Sequence, residues 1–100
     1  MEEKLSDKIC KEVFEEFYIR KDYRKSLSDS KRVYRLLMKN DIQDCKDDYY
    51  IWMILMIIIK SYEQIDEIEK SLKWILISLR YSDSQWKKID SYYYLAKYYN

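Results

Sequence analysis

One hundred residues carry 19 basic and 18 acidic side chains and no Gly, Pro or His, a length that fits one domain able to bury a core without disulfides or metals. Without Gly or Pro the chain lacks the residues of tight hairpins and of glycine-rich phosphate loops, which points to helices and removes G-x-G-x-x-G and Walker-type nucleotide readings. The near-balance of charge offers no whole-molecule attraction to nucleic acid or anionic membrane, and the isolated Cys10 and Cys45, with no His beside them, make neither a disulfide framework nor a zinc site.

The chain opens on Met1-Glu2-Glu3-Lys4-Leu5-Ser6-Asp7-Lys8, charged throughout and without the apolar stretch of a secretory signal, so a cytoplasmic protein is expected. A first helix is predicted over about residues 4 to 20, with Leu5, Ile9, Val13 and Phe17 on one ridge, Cys10 and Phe14 beside them, and Lys8, Lys11, Glu12 and Glu15 outward. Asp22 is placed to cap a second helix, about residues 23 to 39, in which Tyr23, Leu27, Ser30, Tyr34 and Leu37 recur at helical spacing. A short turn makes these an antiparallel hairpin. Residues 40 to 46 carry the one sustained loop signal, and Asp47 or Asp48 can cap a third helix through about Tyr62.

That third helix holds the unbroken apolar run of residues 49 to 59. As a helix the run rises about 16 Å, roughly half a bilayer's hydrocarbon core, so it is expected to be a central core helix and not a membrane span. No second strand-like stretch exists to pair with it as a strand. A fourth helix is predicted from Asp66, burying Ile68, Leu72, Ile75, Leu76 and Leu79 and ending near Tyr81-Ser82. Asp83 or Ser84 then caps a fifth. It carries Trp86, Ile89, Tyr93 and Ala96 on one stripe, but Tyr92, Tyr94, Leu95, Tyr98 and Tyr99 spread apolar surface around the rest, more than one neighbouring helix covers. The expected fold class is all-α: about five helices as stacked antiparallel hairpins, in a short solenoid or a compact bundle.

Two internal offsets support stacking. Tyr18 and Asp22 recur at Tyr62 and Asp66, and Trp52, Leu55 and Ile59 recur 34 residues later at Trp86, Ile89 and Tyr93. On the spacing of Trp52, Leu55, Ile59, Ile68, Leu72 and Ile75 the chain resembles a degenerate tetratricopeptide repeat protein, over about residues 5 to 100. It departs from that pattern where Met56 and Asp90 stand in place of the family's Gly, Ile68 and Ile75 in place of Ala, and Arg80 in place of Pro. Such degenerate repeats are similar to those of peptide-sensing regulators of low-GC Gram-positive bacteria and their phages, although this chain has no DNA-binding helix-turn-helix segment and is too short for a peptide-enclosing superhelix. The resemblance implies helical hairpins that bind other proteins, with the fifth helix as half of a third hairpin that caps the stack or is covered by a second copy, another protein or the rest of a longer chain.

Two surfaces are candidates for function. Residues 20 to 39 hold eight basic residues against Asp22 and Asp29; Arg20, Arg24, Lys31, Arg32, Arg35 and Lys39 form a basic patch that is either a solvated helix face or a contact for an acidic protein or for phosphates. Trp86, Tyr92, Tyr93, Tyr94, Tyr98 and Tyr99 form a Tyr-rich end that is either a cap packed partly inward or a recognition surface, aromatic side chains giving large contact area at low entropic cost. The acidic pairs Glu2-Glu3, Glu15-Glu16 and Asp47-Asp48 are adjacent in sequence, so helical neighbours diverge by about 100° and share no proton. Cys10 belongs to the core face and Cys45 has no base beside it. No catalytic residue, metal or cofactor is implied. The expectation is a non-enzymatic binding module, an adaptor or small regulator of bacterial or phage type, whose partner is another protein or a second copy of the chain. The alternatives are a phage-encoded inhibitor of a nucleic-acid-binding enzyme or defence system, and direct DNA or RNA binding.

Overall fold

The computed structural model describes residues 5–39 and 48–100, with side chains from Asp7 to Lys39 and from Tyr50 onward. Among the described residues the chain is all-α, with helices α1 (Leu5–Tyr18), α2 (Tyr23–Met38), α3 (Asp48–Gln64), α4 (Leu72–Arg80) and α5 (Gln85–Tyr99), and a single 3-10 turn, Ile68–Lys70, ahead of α4. The expected loop at 40–46, with Cys45, and the cap at Asp47 lie outside the described residues.

The apolar run forms α3 and lies at the centre. Ile51, Trp52 and every side chain from Ile54 to Ile59 are buried. A helix that is apolar all round has no solvent face, so neighbours must cover each side, and α1, α2 and α4 all pack against it. The contacts fix their directions. Tyr50 donates a hydrogen bond to the Asp7 carboxylate where α1 and α3 begin, and Lys60 donates to the Tyr18 hydroxyl at 2.9 Å where they end, so the two run parallel. Helix α5 is parallel to α3 as well: the Trp52 and Trp86 rings meet edge-on at 5.0 Å near their starts, and Lys97 donates to the Glu63 carboxylate near their ends. Helices α2 and α4 run against these three in a second row, joined by the edge-on pair of Tyr34 and Trp74 at 5.4 Å.

With no Gly in the chain, two chain reversals place other residues in the left-handed region, Lys21 at φ 55° and Asp66 at φ 64°. Asp22 caps α2 as expected, accepting from the Lys25 amide at 3.3 Å. Asp66 does not start α4. Its amide bonds to the Glu63 carbonyl at 3.1 Å and the next amide to the Tyr62 carbonyl at 2.8 Å, the paired bonds that close a helix C-terminus. Left-handed Asp66 therefore closes α3, and the 3-10 turn precedes α4, which begins at Leu72.

Several faces differ from the sequence reading. In α1, Cys10, Val13 and Phe17 are buried, but Phe14 is exposed and stacks on Tyr18 at 4.4 Å. In α4, Ile75 is buried with Trp74 and Ser78, Leu76 is exposed, and Leu72 and Leu79 are half-buried, as is Ile68 in the 3-10 turn. In α4 the buried stripe is the one that carries serine. Ser26, Ser30, Ser61, Ser71, Ser78, Ser82 and Ser91 are all buried, and pairs of them meet where helices cross: Ser26 against Ser61 at 2.7 Å between α2 and α3, and Ser78 against Ser91 at 2.9 Å between α4 and α5. Ser26, Ser30 and Ser78 also donate to the carbonyl three residues earlier, so their hydroxyls carry their own partners into the interior. A small, internally satisfied side chain lets two helix backbones approach, and in α4 that decides which stripe faces in.

Two outcomes follow from these contacts. Ser61→Leu is expected to cost about 2–3 kcal/mol by overpacking the α2–α3 crossing, whereas Ser61→Ala stays within about 1 kcal/mol because Ser26 keeps its bond to the Tyr23 carbonyl; urea unfolding distinguishes the two. Lys21→Gly is expected to stabilise by about 1 kcal/mol by relieving the left-handed strain, seen as a rise in Tm of roughly 5 °C. An unchanged Tm would mean that the turn carries no such strain.

Candidate functional site

Helix α5 turns much of its apolar surface outward. Of the stripe noted in the sequence, Ile89 and Tyr93 point away from the core, and Ala96 with them, while Trp86 is half-exposed and keeps its edge against Trp52; the buried positions are Lys87, Ser91 and Tyr94, with Leu95 and Tyr98 half-buried. Trp86, Ile89, Tyr92, Tyr93 and Tyr99 are each more than half exposed. At about 100° per residue these five and Ala96 span an arc of about 140°, with exposed Gln85 as the polar residue inside it and Lys88 and Lys97 at its two margins. The Tyr-rich end therefore divides. Trp86, Tyr92, Tyr93 and Tyr99 belong to the outward face, whereas Tyr94 faces the core, where burial holds its phenol well above its ordinary pKa, with Glu63 adding to the effect.

This orientation is possible because Lys87 is accommodated inside. Only 5% exposed, it donates to Asp83 at 2.8 Å, and its ammonium lies 5.7 Å from the centres of both the Trp52 and Trp86 rings. An ammonium facing the π systems of two indoles and paired with a carboxylate is a favourable way to bury a lysine. Asp83 is consumed in that pair, which holds its carboxyl below the ordinary carboxylate range. Ser84 occupies the cap position without making a capping bond.

The basic patch is similarly divided. Arg20, Arg24, Arg32, Arg35 and Lys39 are exposed. Arg20 lies 4.0 Å from Glu15 and Arg32 3.9 Å from Asp29, and half-buried Lys31 donates to the Tyr62 hydroxyl at 3.0 Å. Arg24, Ser28, Lys31 and Arg35 follow one another at helical spacing along α2 and face the turn after α3. With Leu27, Ile65 and Glu67 they line an open groove of about 360 Å³. The sequence alone supplied the basic stripe. It could not supply the opposite wall, which exists because the left-handed Asp66 folds Ile65 and Glu67 back toward α2.

Glu16 was not anticipated. Its neighbour Glu15 is on the outer side, but Glu16 is 6% exposed, and one of its carboxyl oxygens is buried without a hydrogen-bond partner. Burial, then the hydrogen bond and negative charge of Asp29 across on α2, raise its pKa from 4.5 to about 7 against the opposing pull of Lys25 and Arg20. No sequence signal marks this, because Glu16 is one of several acidic residues on a charged helix. No family model, curated protein or solved structure matches the chain.

The raised pKa has a definite sign in stability. Between pH 4.5 and about 7 the folded state binds a proton at Glu16 that the unfolded chain has released, so stability falls as pH rises through that window and levels off above it. The expected loss is roughly 3 kcal/mol. Glu16→Gln should flatten that part of the curve and make the protein more stable than wild type at pH 8, measured by urea unfolding at a series of pH values. Parallel curves for the two proteins would show that the buried carboxyl does not titrate in this range.

Proposed function

We propose that this chain is a non-enzymatic protein-binding module, an adaptor or small regulator that docks through the outer face of α5 and uses the basic surface of α2 to orient its partner. The observation that carries the reading is the outward apolar face of the last helix. A helix with Lys87 and Ser91 inside and Trp86, Ile89, Tyr92, Tyr93 and Tyr99 outside leaves in water the apolar surface that monomeric domains normally cover. Large aromatics are also the residues most enriched where binding energy concentrates. Lysines at the margins of the arc and the cations of α2 favour a partner with an apolar patch bordered by carboxylates. The parallel arrangement of α1, α3 and α5, with Trp52 on Trp86 and Glu63 on Lys97 each 34 residues apart, supports the tetratricopeptide-like reading. A cytoplasmic regulator of bacterial or phage type is the setting we favour.

The reading is tested with Ile89, Tyr92 and Tyr99 changed together to Ser, residues more than half exposed whose loss leaves the core intact. The variant should retain the circular dichroism of the wild type and lose its association. A dimer that becomes a monomer by light scattering identifies the occupant as a second copy. A protein that copurifies with the wild type but not with the variant identifies a heterologous one. A wild-type monomer whose copurifying proteins are all retained by the variant removes the α5 face from the function.

A further inference from the structure

We infer that the groove between α2 and the turn after α3 is a binding site for an extended acidic peptide segment, with a central apolar side chain flanked by carboxylates. The inference rests on the protein-binding reading above and gives the partner's chemistry at a second surface.

The lining argues for this ligand. Arg24, Lys31 and Arg35 supply three cations, against Glu67 as the one carboxylate of the groove, and Glu67 is already engaged by Lys70 at 3.1 Å. The groove therefore presents uncompensated positive charge. Lys31 is oriented by its bond to the Tyr62 hydroxyl, which lowers the conformational cost of using it. Between the cations lie the half-buried Leu27 and Ile65, an apolar strip that rewards an aliphatic side chain. Arg24 and Arg35 are eleven positions apart on α2, about 16 Å along the helix axis, which is the span of roughly five extended residues. Carboxylates near the two ends of such a segment meet the two guanidiniums, with bidentate geometry available at each, while its centre lies over Leu27 and Ile65.

The same features disfavour nucleic acid. Single strands are held by aromatic side chains on which bases stack, and none of the groove's lining residues is aromatic. Arg20 and Arg32, which would extend the basic track, face Glu15 and Asp29.

The test is fluorescence anisotropy of a labelled peptide, Ser-Glu-Asp-Leu-Asp-Glu-Ser, titrated with the full chain at near-physiological salt. Arg24→Glu and Arg35→Glu should each weaken binding by about tenfold or more, and replacing the peptide's Leu with Ser should weaken it severalfold. Arg32→Glu imposes the same change of net charge on the neighbouring face, outside the groove, and should change affinity by less than about twofold; circular dichroism confirms that each variant is folded. Equal losses in Arg32→Glu and Arg35→Glu would reduce the effect to general charge attraction and overturn the site. Tighter binding of an oligouridine than of the peptide would overturn the assignment in favour of nucleic acid, and no peptide binding at millimolar protein would overturn it outright. Failure here, with association through α5 still abolished by the triple Ser variant, removes the groove alone; peptide binding in a chain whose α5 face has no partner removes that face and keeps the groove.

Discussion

Helix α3 sets the terms for the rest of the molecule. From Ile54 to Ile59 it buries consecutive side chains on all sides, and such a helix is stable in water only when surrounded. One hairpin cannot surround it. Helices α1 and α2 close one side and α4 another, and α5 reaches it through the edge-on contact of Trp52 and Trp86. The two-row arrangement is thus what a single fully apolar helix requires of a short chain, and the amphipathic helices α1 and α2 supply the polar exterior.

Close approach of these helices is achieved without Gly and with a single Ala, at position 96. Serine takes their place. A buried hydroxyl is costly when unpaired, but Ser26, Ser30 and Ser78 each return a hydrogen bond to their own helix and so behave at the crossings as small residues. The interior tolerates two charged residues on related terms. The Lys87 ammonium lies by two indoles and Asp83, whereas Glu16 keeps one carboxyl oxygen unpartnered and has a raised pKa. The first arrangement turns the apolar face of α5 outward. The second leaves a titratable carboxyl at the α1–α2 interface.

The two candidate surfaces differ in physical character. The outer face of α5 is broad and aromatic, suited to burying area against a complementary protein face. The α2 groove is narrow, charged at its edges and apolar along its floor, suited to an extended segment. Both depend on local features that composition conceals: the lysine housed on the inner side of α5, and the left-handed aspartate that brings Ile65 and Glu67 opposite the cations of α2.

What the sequence determined by itself was the fold class, the five helices with most of their ends, the Asp22 cap, the central place of α3 and the basic stripe along α2. These follow from local chemistry: absent Gly and Pro, apolar periodicity, and an apolar run too long for a loop and too short for a membrane. Tertiary structure alone decided which faces turned inward. Periodicity identifies an apolar stripe, but α4 and α5 each carry two, and the choice fell to the stripe whose small serines allow the backbones to meet, even where it carries Lys87 inward and leaves Trp86, Ile89 and Tyr93 in water. The groove was hidden for the same reason, since one wall is written in α2 and the other is brought to it only when the turn at Asp66 closes.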